Sequence, residues 1–253
     1  MHSLDIKPLK VVIYGSKGRM GQALVRCTME NPALQLAGTI DTGDSLEVIA
    51  SCDAVIDFTH ADATLPALQK CMEFGKILVI GTTGHSSDVR QAITKASART
   101  TVIFSPNYSI GVNALFWLTK KAAEILGSEY DAEVIEIHHR LKKDAPSGTA
   151  RRLVELLDEA YGLDYEKDTR HGRVGMPGER TRSAVGVHAV RGGDVVGDHT
   201  VLLAAPGDRL ELTHRDSSRE TFARGALRAA LWARDTIRSA PGLYDMQDVL
   251  GLR

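Results

Sequence analysis

The chain has 253 residues, of which 43% are hydrophobic and 25% charged, and its formal net charge is −1. The length predicts one large or two modest domains, and the overall basic excess typical of nucleic-acid-binding proteins is missing. The three cysteines lie far apart with no C-x-x-C pair, so we expect neither a disulfide framework nor a metal site. No apolar run reaches membrane-spanning length, and residues 1–10 lack the apolar core of a signal peptide. These features predict a cytoplasmic protein with no membrane or nucleic-acid partner.

The first half of the sequence alternates short apolar runs with amphipathic segments. Compact, β-branched runs predict five strands, at residues 9–14, 34–40, 53–58, 77–80 and 102–104. Apolar residues at helical spacing predict helices at residues 20–30, 61–74 and 87–98. Repeated strand–helix–strand alternation predicts a parallel sheet with helices on both faces, the Rossmann-like doubly wound α/β plan.

The pattern changes after residue 107. We expect helices at residues 113–126 and 150–160, a strand at 133–138, a loop at 168–178, and strands at 184–190, 200–204 and 209–214. Strands grouped in this way predict a smaller α+β domain with a mixed, largely antiparallel sheet. A last helix, at residues 220–234, is expected to return to the first domain.

A glycine-rich turn follows the first predicted strand and precedes the first predicted helix. Its sequence is G-S-K-G-R-M-G, with Gly15, Gly18 and Gly21 spaced much as in the dinucleotide-binding fingerprint. Glycines there permit a tight turn and close approach of the backbone to a pyrophosphate, while the helix start attracts the anion. An ordinary tight turn is the alternative, but the position between strand and helix favours nucleotide binding.

Three charged residues bear on the choice of coenzyme. Asp41 follows the second predicted strand, where an acidic residue holds the ribose hydroxyls of NAD and repels the 2′-phosphate of NADP. Lys17 and Arg19 favour the opposite choice, because either could reach that phosphate, although Lys17 could also be a solvated loop residue. We expect NADH to be used and NADPH to be tolerated.

Two polar loops end the fourth and fifth predicted strands. They have the sequences G-T-T-G, at residues 81–84, and S-P-N-Y, at residues 105–108. Ligands of such folds bind outside the carboxyl ends of the strands, so both loops are candidates for the nicotinamide site. Judged from their composition alone, they are equally compatible with ordinary turns.

A cluster of cationic and titratable residues lies in the sequence E-I-H-H-R-L-K-K-D-A-P-S-G-T-A, at residues 136–150. Its members are His138, His139, Arg140, Lys142 and Lys143. A histidine titrates near neutrality and can exchange a proton with a substrate, and a lysine can stabilise or protonate developing negative charge. A solvated cationic face, with one histidine turned into the core, is the alternative. Adjacent strand residues point to opposite faces, which disfavours metal binding by the two histidines.

A helix is expected to start within the same segment. Asp144 or Ser147 can cap it, and Pro146 suits its first turn. The backbone N–H groups near Ser147, Gly148 and Thr149 would then form an anion site. A dicarboxylate could be held between these groups and the neighbouring cations.

Taken in order, these motifs resemble those of the 4-hydroxy-tetrahydrodipicolinate (dihydrodipicolinate) reductases of lysine and diaminopimelate biosynthesis. The matching segments, which span nearly the whole chain, are G-S-K-G-R-M-G, D-F-T at 57–59, G-T-T-G, P-N-Y-S-I-G-V-N at 106–113, the segment at 136–150, R-G-G-D-V-V-G-D-H-T at 191–200 and T-H-R-D-S-S-R at 213–219. The resemblance implies reduction of a cyclic dicarboxylate by NADH, NADPH or both, with loss of water from the hydroxylated substrate.

The resemblance also implies roles for individual residues. His138 matches the family's proton donor/acceptor and Lys142 its proton donor, while His139, Gly148 and Thr149 match substrate-binding positions. The positions that match the nucleotide site are Gly15, Ser16, Lys17, Gly18, Arg19, Met20, Asp41, Gly81, Thr82, Thr83, Ser105, Pro106, Asn107 and Tyr108. Lys17 replaces a small residue found in many members, and Thr42 replaces a basic residue found in some, which leaves the coenzyme preference open.

The family's architecture implies a homotetramer whose domains close over the substrate. A dinucleotide-binding domain of residues 1–109 would be completed by residues 219–253, and residues 110–218 would form the substrate-binding and oligomerisation domain. Two other classes remain as alternatives. One is a different Rossmann oxidoreductase, such as an amino-acid or sugar dehydrogenase, and the other is a non-catalytic nucleotide-sensing or scaffold protein.

Overall fold

The computed structural model describes residues 7–252, so most of the segment in which we expect no signal peptide lies outside the described residues. Contacts between Cα atoms divide the chain into two compact units. The first contains the described residues up to 110 and those from 219 onward, and the second is Gly111–Ser218. Within the described residues, no helix has both the length and the apolar character needed to cross a membrane.

The strands are β1 (Leu9–Tyr14), β2 (Leu34–Ile40), β3 (Ala54–Asp57), β4 (Ile77–Ile80), β5 (Thr101–Phe104), β6 (Asp131–His138), β7 (Thr169–His171), β8 (Val185–Arg191), β9 (Gly197–Ala205), β10 (Asp208–Asp216) and β11 (Gly242–Tyr244). The helices are α1 (Arg19–Met29), α2 (Ala61–Phe74), α3 (Ser87–Ala96), α4 (Ile110–Leu126), α5 (Gly148–Tyr161), α6 (Tyr165–Asp168), α7 (Glu220–Asp235) and α8 (Met246–Leu250), with a 3₁₀ helix at Leu46–Ser51.

The first unit is built on a parallel sheet with the strand order β2-β1-β3-β4-β5-β11. The chain passes from β1 to β2 on one side and then builds outward from β3 on the other, so the strand order reverses between β1 and β3. Ligands of doubly wound sheets bind outside the carboxyl ends of the strands at such a point. The predicted Rossmann-like sheet is therefore confirmed.

Apolar residues fill both faces of this sheet because successive strand residues point to opposite sides. Val11 and Ile13 of β1 pack in one cluster with residues of α1, α7 and α8. Val12 packs in a second cluster with Leu68 of α2 and Ile93 of α3. The β-branched strands thus have no polar face, as expected for a sheet covered by helices on both sides.

The sequence pattern did not predict the last two elements of this unit. β11 has three residues, Gly242–Tyr244, and pairs with β5, while α8 spans five. Neither is long enough to display a period of two or of 3.6 residues. The predicted helix at 220–234 is present as α7 and packs against α1.

The second unit contains a five-stranded sheet with the order β10-β9-β6-β8-β7. The pairs β6–β9 and β9–β10 are antiparallel, whereas β6–β8 and β7–β8 are parallel. The predicted mixed sheet is confirmed, but its antiparallel share is half of these pairings rather than most of them. Leu153, Val154 and Leu157 of α5 pack on Val134 and Val201 of the sheet.

The loop predicted at residues 168–178 is wrong in its first part. Thr169–His171 form β7, which pairs with β8. The sequence Thr-Arg-His carries no apolar signal, and its two exposed residues, Arg170 and His171, join the sheet through backbone hydrogen bonds at its edge. Backbone pairing of this kind leaves no trace in a hydrophobic pattern.

Candidate functional site

The glycine turn lies between β1 and α1, at the point where the strand order of the first unit reverses. Gly15 has φ 86°, and a Cβ atom there would lie 2.5 Å from the carbonyl oxygen of Phe58 at the end of β3. A Cβ at Gly21 would collide with the carbonyl oxygen of Gly15. Gly18 is the N-cap of α1 and offers no side-chain cap, so an anion can approach the N–H groups of the first helical turn.

Asp41 is fixed next to this turn, just beyond the end of β2. Its Oδ2 accepts a hydrogen bond of 2.8 Å from the backbone N–H of Lys17, and its Oδ1 accepts one of 2.9 Å from Thr42. These backbone hydrogen bonds, that of Lys17 first, lower the pKa of the Asp41 carboxyl. Asp41 therefore holds a full negative charge on the glycine turn at neutral pH.

A pocket of about 340 Å³ opens at the carboxyl ends of β3 and β4. Its lining residues are Met20, Phe58, Thr59, His60, Ala61, Gly81, Thr82 and Thr83. Four of these are predicted nucleotide-site positions, so the first glycine turn and the loop after β4 meet in one place. The residues that follow β3 were not predicted to belong to the site. These residues could have been assigned to the site only from the position of β3 in the sheet, and that position depends on the strand order.

A buried carboxylate organises the floor of this pocket. Asp57 is fully buried at the end of β3 and accepts hydrogen bonds from the backbone and side chain of Thr59 and from the hydroxyls of Thr64 and Thr82. The Thr82 hydroxyl is thus directed into the protein. The Thr64 hydroxyl also lies 2.9 Å from Nε2 of His85.

The loop after β5 presents its residues in different directions. The Tyr108 side chain is fully buried, with its hydroxyl 2.9 Å from the Ile80 carbonyl and 3.0 Å from the Ile103 carbonyl. Burial raises the pKa of Tyr108 well above its ordinary value. Ser105 Oγ donates a hydrogen bond of 2.9 Å to the Asn107 carbonyl. The Tyr108 side chain braces the ends of two strands, so any contact of this residue with a coenzyme would involve its backbone.

In the second unit, β6 carries two polar residues on its buried face. Burial alternates along the strand, and Glu136 and His138 continue the row that begins with Ala132 and Val134. Strand register brings further polar groups to them: Arg191 of β8 pairs with His138, and His199 of β9 pairs with Glu136. Buried polar groups in such a row need partners, and Arg191 supplies hydrogen bonds to Glu136.

The Glu136 carboxylate is the centre of this cluster. Its Oε2 lies 2.5 Å from Nδ1 of His138 and 2.7 Å from Arg191 Nη1. Its Oε1 accepts hydrogen bonds of 2.9 Å from Arg191 Nη2 and 3.0 Å from the backbone N–H of Ser147. Burial alone would raise the pKa of Glu136, but hydrogen bonds from His138, Arg191 and Ser147 lower it to about 2. Glu136 is therefore ionised throughout the physiological range.

The start of α5 differs in detail from the prediction. Ser147 is the N-cap, and its Oγ accepts a hydrogen bond of 3.1 Å from the Ala150 N–H. Asp144 is therefore not the cap, and Pro146 lies before the helix rather than in its first turn. The Ser147 N–H, predicted to bind an anion, is instead bonded to Glu136. Gly148 and Thr149 occupy the first two helical positions.

Lys142 lies in the turn between β6 and α5. Its Nζ is 2.9 Å from Oδ2 of Asp144, and its backbone N–H donates to the His139 carbonyl. The ammonium group of Lys142 lowers the pKa of Asp144. Arg140 and Lys143 are exposed, which agrees with a solvated cationic face for these two residues.

His199 is a buried neighbour of His138 that the sequence analysis did not assign to the site. The two rings are 5.2 Å apart, and Nε2 of His199 lies 3.0 Å from Ser147 Oγ. Burial, and after it the proximity of His138, lowers the pKa of His199 to about 3. The ring is thus neutral at physiological pH. No set of three or more His, Cys, Asp or Glu side chains within residues 7–252 is arranged to hold a metal ion.

A doubly wound parallel sheet with a glycine turn at its switch point, joined to a unit that carries a buried cluster of titratable side chains, is typical of two-domain nucleotide-dependent oxidoreductases. Comparison with known proteins gives the family. Residues 9–108 match the model described as dihydrodipicolinate reductase, N-terminus, and residues 111–250 match the model of its C-terminus. The chain therefore belongs to the dihydrodipicolinate reductase family.

Individual relatives agree over almost the entire chain. A protein of Akkermansia muciniphila named 4-hydroxy-tetrahydrodipicolinate reductase is 51% identical, with 96% of this chain and 98% of the relative covered. A protein of the same name from Hahella chejuensis is 44% identical, with 96% and 99% covered. The dipicolinate-bound dihydrodipicolinate reductase from Paenisporosarcina sp. TG-14 has a similar fold, with a TM-score of 0.76 at 22% identity and coverage of 95% and 98%. The predicted family, fold and oxidoreductase class are confirmed, and both alternative classes are set aside.

Proposed function

We propose that the chain reduces 4-hydroxy-tetrahydrodipicolinate to tetrahydrodipicolinate for lysine and diaminopimelate biosynthesis, with NADH or NADPH as reductant. One substrate, one reduced coenzyme and one proton give one product, one oxidised coenzyme and one water. The observation that carries the proposal is the buried Glu136–His138 pair beside the start of α5, in a chain of this family. It supplies a proton-exchanging group next to a potential anion site.

We assign the coenzyme-binding site to the first unit. Gly15 and Gly21 leave no room for a side chain, which suits a turn that packs closely around a pyrophosphate. Asp41 would accept the ribose hydroxyls, and the loops at 81–83 and 105–108 would border the nicotinamide. Bound coenzyme supplies the hydride, while the protein supplies orientation and electrostatics.

We assign the substrate-binding site to the second unit. One carboxylate of the substrate would lie at the start of α5, on Gly148 and Thr149, with His139 beside it. A Cβ atom at Gly148 would meet no atom within 4 Å, so the helix start is open on that side. A dicarboxylate is the bound ligand of the related Paenisporosarcina structure, which supports this class of substrate.

Proton transfer is assigned to His138 and Lys142. The Nδ1 atom of His138 is occupied by Glu136, so Nε2 is the atom that exchanges a proton with the substrate. Lys142 would provide the second cation and share with His138 the transfer of the one proton that the reaction consumes, and its partner Asp144 is exposed, so a substrate carboxylate can replace it.

Assembly and location complete the proposal. The homotetramer, the oligomerisation role of residues 110–218 and the closure of the two domains over the substrate follow from the family resemblance, and the cytoplasmic location is the expectation from the sequence composition. Closure would exclude water from the hydride-transfer step.

The test is a spectrophotometric assay with the aldol product of pyruvate and aspartate semialdehyde. Loss of reduced-nicotinamide absorbance that depends on this substrate is the expected result, measured with NADH and NADPH separately. If both coenzymes bind but neither is oxidised, the proposed reaction is wrong.

A further inference from the structure

The arrangement around Glu136 joins two parts of the proposed site that the sequence treats as separate. One carboxylate oxygen contacts the imidazole of His138, and the other accepts the N–H of Ser147, the cap of α5. Arg191 bonds to both oxygens, at 2.7 and 2.9 Å. The same carboxylate therefore orients the proton-exchanging ring and the start of the helix assigned to the substrate.

We infer that Glu136, clamped by Arg191, is a positioning residue that holds His138 as the Nδ1–H tautomer and leaves Nε2 to exchange the proton. The inference rests on the proposed role of His138. An ionised carboxylate has no proton to donate, so the nitrogen that faces it must carry one. In neutral imidazole the other nitrogen is then the acceptor.

Burial makes this arrangement rigid. The Glu136 side chain is 0% exposed and that of His138 is 10% exposed. Nε2 of His138 lies on the side of Gly197, where a Cβ atom would come within 3.1 Å of it. A buried carboxylate that lost its cation would be strongly destabilised, so Arg191 is needed to keep the charge in place.

Arg191 also ties this cluster to the turn that carries Lys142. Its Nη2 donates a hydrogen bond of 2.7 Å to the backbone carbonyl of Asp144, the residue whose carboxylate pairs with Lys142. A shift of Arg191 would therefore move both proton-handling residues. This coupling explains the need for a bidentate guanidinium, which an ammonium group does not reproduce.

The chain offers a matched control on the same strand. Glu133 lies on the opposite face of β6 and also accepts hydrogen bonds from a histidine, His188, and from the guanidinium groups of Arg173 and Arg180. Its pKa is likewise lowered to about 2, since these partners outweigh the effect of burial. Glu133→Gln thus breaks a similar ion cluster without contacting His138.

The test is a double-mutant cycle in the full-length enzyme. Glu136→Gln keeps an acceptor for Ser147 but presents an amide N–H group to His138. We expect it to lower kcat by a factor on the order of 10²–10³ in the His138 background and by less than about twofold in a His138→Gln background. Glu133→Gln should change kcat by the same factor in both backgrounds.

Two outcomes overturn the inference: Glu136→Gln with wild-type kcat, or Glu136→Gln with an equal loss in both backgrounds, which marks a purely structural role. If this variant fails to fold, Glu136→Asp replaces it in the same cycle, and its loss of kcat is compared between the two backgrounds. We expect a smaller loss of kcat than for Glu136→Gln, because the carboxylate is kept. Failure of the proposed function is distinguishable, since the unsubstituted enzyme would then show no turnover.

A second measurement does not depend on activity. Nitrogen-15 chemical shifts of His138 report which ring nitrogen carries the proton. We expect the Nδ1–H tautomer in the unsubstituted protein at a pH where the ring is neutral, and a shift toward the Nε2–H tautomer in Glu136→Gln. An Nε2–H tautomer in the unsubstituted protein contradicts the inference.

Discussion

At the scale of single residues, His138 and Lys142 are held in contrasting ways. His138 is bonded to a buried carboxylate, whereas Lys142 pairs with Asp144, whose side chain is 64% exposed. A ring fixed by a buried partner is already oriented for proton transfer, and a lysine whose carboxylate partner is exposed can exchange that partner for a substrate. The two residues thus suit different tasks in one reaction.

His138→Gln or Lys142→Ala should therefore lower the rate of the catalysed reaction more than the affinity for the coenzyme. We expect kcat to fall by a factor on the order of 10²–10⁴ while the Kd for NADH changes little. Steady-state kinetics and fluorescence titration with NADH measure the two quantities. Lys120→Ala, at an exposed position of α4, is the control, and near-wild-type kcat in both site variants would refute the assigned roles.

Asp41 gives a second prediction at this scale. Asp41→Asn keeps an acceptor for the Lys17 N–H but removes the negative charge that opposes a 2′-phosphate. The ratio of kcat/KM for NADPH to that for NADH should rise on the order of tenfold. The control is Asp44→Asn, which removes one negative charge from the same loop and should leave this ratio nearly unchanged. An unchanged ratio in Asp41→Asn would show that Asp41 does not face the ribose.

How much of the site was predictable depended on the distance in sequence between its members. The segment at residues 136–150 stood out because chemistry-bearing residues cluster in it, and the family resemblance singled out His138 and Lys142 among them. Arg191 of β8 and His199 of β9 lie more than fifty residues after Glu136, and only strand register brings them close to it. No sequence spacing encodes that register, so these partners and the role of Glu136 emerged from the structure.

At the scale of elements, α5 combines the start that we propose to bind a substrate carboxylate with a buried acidic residue farther along. Asp158 is 4% exposed, and neither of its carboxylate oxygens has a hydrogen-bond partner among the described residues. Burial, and after it the charges of Asp168, Asp164 and Glu155, raises its pKa to about 6. The charged form is thus disfavoured in the folded protein.

Asp158→Asn should stabilise the protein in a pH-dependent way. The folded state holds a proton that the unfolded state releases between pH 3.8 and about 6, so stability from this group declines as the pH rises through that window. We expect the free energy of unfolding of Asp158→Asn to exceed that of the unsubstituted protein by on the order of 1–2 kcal/mol above pH 6 and by little at pH 4. Urea unfolding of both proteins at pH 4 and pH 8 measures this difference. An equal difference at both pH values would contradict a raised pKa for Asp158.

The elements themselves were predictable where their patterns were long. β2, β4 and α2 match the expected bounds, because each is a continuous apolar or amphipathic run. β7 and β11 have three residues each and are defined by pairing with a neighbouring strand rather than by their side chains. Their positions could not be inferred before the sheets were assembled.

At the scale of the whole molecule, the proposed coenzyme residues and the proposed proton-transfer residues belong to different compact units. The glycine turn and Asp41 are in the first, and residues 138–149 are in the second. We propose that both sets of residues act on one substrate. Hydride and proton transfer to the same ring require reacting atoms within about 3–3.5 Å of each other, which is a demanding geometric condition.

The most direct test is a crystal structure of the enzyme with oxidised coenzyme and dipicolinate. We expect one carboxylate of dipicolinate on Gly148 and Thr149, the ring within about 3–3.5 Å of the nicotinamide, and Nε2 of His138 directed at the ligand. Dipicolinate bound away from α5, with residues 138–149 facing bulk solvent and remote from the coenzyme, would contradict it.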